Sequence, residues 1–258
     1  MKIVITVVVI LITMMAILAS IYYYKTSTYC FKNYLLKNPD NFSLLVSINN
    51  ETTISHNSEK PFVLASTMKL IVLLEYAIQL NQKLIDENEK IYQKDLDVFF
   101  IPELDKAHES WRKTLKLKND ILLKDIVDGM ILYSSNTCTD YLIDKLSIEK
   151  INDRIDSLNL FYHDKFMYIS ALYFMDHTTI NDVDYPEFLK IQKDIVSQLK
   201  ESKLDKTFEN VDFDSKIEIL LKKAPKSTTK DYNEILKQII ENKYSSEVSE
   251  KIMKTMNW

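Results

Sequence analysis

The chain has 258 residues, 46% apolar and 27% charged, enough for one large folded domain with a sizeable core. Net charge is −4 with Lys and Arg spread along the chain, which argues against a nucleic-acid partner. A single glycine, Gly129, excludes G-x-G-x-x-G, P-loop and G-x-S-x-G motifs, and two cysteines, Cys30 and Cys138, make no disulfide framework and read as free thiols.

Residues 3–24 carry no charge. As a helix they span about 33 Å, close to the hydrocarbon core of a bilayer, with Tyr22, Tyr23 and Tyr24 as an interfacial belt. Residues 1–27 therefore read as a signal anchor that crosses the cell membrane once. The alternative is a signal peptide whose cleavage releases a secreted chain; its length and the Ile17 before Ala19 argue against cleavage. Both readings place residues 28–258, read as one domain, outside the cytoplasm.

"TYCFKNYLLKNPD" predicts a short helix ended by Asn38-Pro39. "NFSLLVSI" and "ETTISHN" predict a hairpin joined at Asn49-Asn50, where asparagine supplies the positive φ that glycine usually provides. The apolar run from Pro61 to Leu80 predicts a helix over 66–82. Residues 86–118 are polar and interrupted by Pro102. Helices follow in "KNDILLKDIVDGMILYSS", "TCTDYLIDKL" and "SIEKINDRIDSL". Residues 160–180 are aromatic and have no clear period, 186–222 are helical in pieces, and two helices end the chain. The architecture is a small β element followed by a mostly helical body.

Two short motifs carry chemistry. Ser66 and Lys69 lie three residues apart, on one helix face. A serine hydroxyl needs a base, and a lysine flanked by Ile71, Val72, Leu73 and Leu74 is desolvated enough to lose its proton more readily. The stretch alone also allows a plain N-cap serine and a lysine that snorkels to solvent. "YSSNT", at 133–137, places Ser134, Ser135 and Asn136 between two helices, where they could equally be caps.

Together, P-F-x-x-A-S-T-M-K and M-I-x-x-S-S-N-T are far more specific than either part. In them the chain resembles the class A β-lactamase and penicillin-binding-protein superfamily, whose motifs are S-x-x-K, S-D-N and K-T-G. The resemblance implies an α+β fold, with a helical body packed on an antiparallel sheet. It implies Ser66 as acylated nucleophile, Lys69 as its base and Ser134 as proton relay to the leaving group. Asn136 would bind the substrate's amide, and the Ser66 N–H would be one oxyanion donor. It implies a β-lactam or peptidoglycan-like substrate, with no metal or organic cofactor; the chain reads as a monomer.

Three departures limit what is implied. Ser135 stands where the family motif has aspartate. The window from Leu160 to Thr179 holds no glutamate to activate a deacylating water; its acids are Asp164 and Asp176, and Glu187 comes late and reads as a solvated helix start. K-[ST]-G is absent, and Lys226-Ser227 precedes a helix for which Ser227 or Thr228 is the N-cap. The expectation is acylation with slow deacylation, in a chain that lacks the strand of the third motif, either through a shortened reading frame or through divergence to an inactive binding module.

Overall fold

The computed structural model describes residues 2–49, 51–102, 104–115, 121–175, 183–206, 218 and 221–257, with the side chains of residues 2–12, 24 and 26–29 outside the description. Two compact units divide between Ser58 and Glu59.

The first unit opens with helix α1, Lys2–Lys37. The separate short helix expected after Thr28 is the continuation of α1, because no Pro or Gly interrupts the chain before Pro39. Among the described residues no helix is long and apolar enough to cross a membrane. The side chains of residues 3–12, part of the expected span, lie outside them. Strands β1, Leu44–Ile48, and β2, Glu51–His56, pair antiparallel as expected, with a register shift between Val46 and Ser47. Asn49 turns the hairpin at φ 52°, in the left-handed region that asparagine tolerates. Asn57 closes the unit by donating to the carbonyls of Pro39 at 2.7 Å and Phe42 at 3.0 Å.

The second unit is built around helix α2, Lys69–Asn81, entered through a 3₁₀ turn at Ala65–Met68. Every residue from Lys69 to Gln79 is buried, so α2 has no solvent face and other helices must surround it. Those helices are α5, Leu123–Leu132, α6, Asn136–Leu146, α7, Ile148–Ser157, and α11, Ser246–Thr255. Two polar side chains in α2 are neutralised locally. Gln79 donates to Glu75 at 2.8 Å and to the Leu146 carbonyl at 2.9 Å, while Arg154 meets Glu75 at 3.0 Å.

The remaining helices are α3, Gln93–Asp97, α4, Lys106–Thr114, α8, Ile169–Leu172, α9, Tyr185–Lys200, and α10, Thr229–Ile240. Two short ladders tie distant segments. Strand β4, Lys90–Ile91, pairs with β5, Ile121–Leu122. Strand β3, Phe62–Val63, pairs with β6, Lys226–Ser227, and Leu64 N–H donates to the Pro225 carbonyl at 2.9 Å. The second ladder sets the start of α10 beside the turn that carries Ser66. Thr228, one of the two residues expected to cap α10, is its N-cap and accepts from Asp231 N–H.

Candidate active site

Ser66 sits in the 3₁₀ turn and makes no cap bond. Its predecessor, Ala65, has φ 45°, a conformation that costs a residue with Cβ about 1–3 kcal/mol. Ser134 lies between α5 and α6 and is also left-handed, at φ 62°. These two strained positions bring the hydroxyls together, with Ser66 Oγ 2.6 Å from Ser134 Oγ.

Lys69 supplies the third member. It is only 3% exposed. Its Nζ donates to the Ser134 carbonyl at 2.6 Å, Ser134 Oγ at 3.0 Å and Asn136 Oδ1 at 3.2 Å. Desolvation lowers its pKa to about 8, against the opposing pull of Asp105 and Asp140. Ser66, Lys69, Ser134 and Asn136, found far apart in sequence, are thus one hydrogen-bonded cluster. Within it, Ser66 Oγ is joined to Lys69 Nζ through Ser134 Oγ.

A buried carboxylate holds this loop. Asp105, the N-cap of α4, accepts from His108 N–H at 2.9 Å, Thr137 N–H at 2.7 Å, Thr137 Oγ1 at 2.8 Å and Ser135 Oγ at 3.3 Å. Ser135 caps α6 by accepting from Cys138 N–H, and its Oγ lies 3.0 Å from His108 Nδ1. His108 is fully buried, and burial pushes its pKa down to about 4. Its Nε2 has no hydrogen-bond partner. Beneath the site Asp140 accepts from the N–H groups of Ile169 and Ser170 at 2.8 and 2.6 Å, and burial raises its pKa to about 6. Sequence reading missed Asp105, His108 and Asp140. An Asp-x-x-His at a helix start was visible, but no spacing rule links residue 105 to residue 135.

Two of the acids weighed for deacylation, Asp164 and Glu187, are engaged in other contacts. Asp164 N–H donates to the Lys226 carbonyl at 2.9 Å, and its Oδ2 accepts from Lys226 N–H at 3.0 Å. Glu187 lies in the first turn of α9, half exposed and 3.5 Å from Lys190. Asp176 falls outside the described residues. Among the described residues no group of His, Cys, Asp and Glu could hold a metal ion. Cys138 is buried, Cys30 exposed, and both are free thiols.

A cavity of about 290 Å³ opens beside Ser66. Ser66, Thr67, Lys69 and Ser134 form its polar lining, and α10 contributes Tyr232 and Leu236. Asn136 lines a separate void of about 10 Å³ with Ser170 and Tyr173, large enough for a single water.

Solved structures share this fold at low identity. A β-lactamase from Chitinophaga pinensis DSM 2588 aligns with a TM-score of 0.58 and 12% identity, over 89% of this chain and 69% of that one. A representative of class A β-lactamase from Bacteroides cellulosilyticus DSM 14838 gives 0.55 and 14%, over 87% and 66%. A β-lactamase from Sphaerobacter thermophilus DSM 20745 gives 0.53 and 17%, over 83% and 60%. The chain thus spans 60% of the length of the Sphaerobacter protein. No curated protein matches it. The family model described as "Beta-lactamase enzyme family" matches residues 30–257. With both serine motifs inside that match, the chain belongs to the β-lactamase enzyme family.

Proposed function

We propose that this chain is a serine hydrolase that forms an acyl-enzyme at Ser66 on β-lactam or peptidoglycan-like carbonyl compounds. The observation that carries the reading is the line Ser66 Oγ, Ser134 Oγ, Lys69 Nζ, with steps of 2.6 and 3.0 Å. Neutral Lys69 accepts the Ser134 proton as Ser134 takes the Ser66 proton, and Ser66 Oγ attacks the carbonyl carbon. Ser134 then delivers a proton to the leaving atom and regains one from the Lys69 ammonium. Lys69 is the base, acting through Ser134. The Ser66 N–H, at the start of the turn into α2, is an oxyanion donor. Asn136 orients Lys69 through its Oδ1, and the family resemblance makes it the residue for a substrate amide.

No carboxylate lines the cavity among the described residues, which supports slow deacylation. The same reading keeps residues 3–24 as a membrane anchor and the hydrolase unit extracytoplasmic; the unbroken course of α1 from Lys2 is compatible with it. The test is labelling by a fluorescent penicillin. The wild type takes up label and Ser66→Ala does not. A folded wild type that takes none favours a binding module on the same fold.

A further inference from the structure

The cavity beside Ser66 is more selective than a general acylation site requires. Beyond its polar lining, its described walls are the side chains of Leu70, Met130, Ile131, Leu236 and Met256 and the ring of Tyr232. Lys69 is the one cation among the described lining residues. Its three donor directions are already taken by the Ser134 carbonyl, Ser134 Oγ and Asn136 Oδ1, so it has none to offer a carboxylate carried on the acyl chain. An anionic group placed here would be desolvated without a partner. The volume holds about ten water-sized groups at ~30 Å³ each, the size of an octanoyl group.

From this lining we infer a second activity at the same serine: cleavage of esters whose acyl group is an uncharged apolar chain of up to about eight carbons. This rests on Ser66 as the nucleophile. The acyl group is the part that must fit, because it stays bonded to Ser66 Oγ while the alcohol departs to solvent. In the step, the Ser66 Oγ–acyl carbon bond forms and the ester C–O bond breaks. The Ser66 proton moves to Ser134 as Ser134's moves to Lys69; the leaving alkoxide then takes a proton from Ser134, which regains its own from the Lys69 ammonium. Water later adds to the acyl carbon, releasing the carboxylic acid and restoring the Ser66 hydroxyl.

The experiment follows the p-nitrophenol burst of the full chain with p-nitrophenyl esters from acetate to dodecanoate, beside labelling of Ser66 by a small fluorophosphonate. The expected second-order acylation rate rises up to about four-fold per methylene as far as octanoate and falls for dodecanoate. The mono-p-nitrophenyl ester of octanedioic acid, with a terminal carboxylate, reacts at least about ten-fold more slowly than the octanoate. Leu236→Trp, checked for unchanged circular dichroism, shifts the optimum to shorter chains. A flat chain-length profile, or equal rates for the charged and uncharged eight-carbon esters, overturns the inference even when the fluorophosphonate labels Ser66. Absence of a fluorophosphonate adduct at Ser66 removes the nucleophile, and this activity with it.

Discussion

At the scale of single residues, Lys69 is the most informative side chain. Burial alone would drive it to shed its proton, and the carboxylates of Asp105 and Asp140 hold that tendency back, leaving its pKa near 8. A base must be neutral to accept a proton, so acylation of Ser66 speeds up as pH rises. About a tenth of Lys69 is neutral at pH 7 and about half at pH 8, so the labelling rate rises about five-fold over that unit and levels off above pH 9. Stopped-flow labelling across pH 6–10 checks this, and a flat profile would remove Lys69 as the base. The bridge through Ser134 makes a second prediction. Ser134→Ala and Lys69→Ala each slow labelling by about 10²–10⁴, and the double variant is little slower than either, because both break one relay. Multiplying losses would instead mean that the two residues act independently.

At the scale of elements, the loop between α5 and α6 is fixed by packing from below. Gly129 is the single glycine of the chain, and its role is close approach rather than a left-handed turn. A Cβ there would meet Cys138 Sγ at 2.7 Å and the buried Trp111 ring at 2.8 Å. Gly129→Ala therefore destabilises by about 1–3 kcal/mol despite alanine's better helix propensity, and thermal melting reads the loss. His108 gives the same loop a pH signature. Its folded pKa is lowered to about 4 from 6.5, so below pH 6.5 the unfolded chain binds the proton more readily and stability falls until about pH 4. Asp140 works in the opposite direction, since its raised pKa adds stability as pH falls from about 6 towards 3.8. The two partly offset, so the contribution of His108 is read by difference. Between pH 6.5 and 4 the wild type loses about 3 kcal/mol relative to His108→Gln in denaturant melts. Parallel curves would show that His108 titrates normally.

At the scale of the whole molecule, local signals carried most of the helical unit and little of its long-range joining. The apolar run at 61–80, the caps at Ser135 and Thr228 and the turn asparagine at 49 each act within a few residues, and each is visible in order along the chain. The β3–β6 and β4–β5 ladders, two residue pairs each, have no period long enough to read. Ser66, Lys69, Ser134 and Asn136 were found by motif, and the structure brings them into one cluster. What the motif could not supply is the route between Ser66 and Lys69, which depends on the left-handed backbone at Ala65 and Ser134, or the part of the cavity lining that comes from α10. The central claim is that Ser66 is the nucleophile of this relay. Mass spectrometry of the intact and digested chain after exposure to a fluorescent penicillin tests it most directly. One adduct is expected, on the peptide containing Ser66, absent from Ser66→Ala and slowed by Lys69→Ala. A folded wild type without adduct, or an adduct that survives in Ser66→Ala, would contradict it.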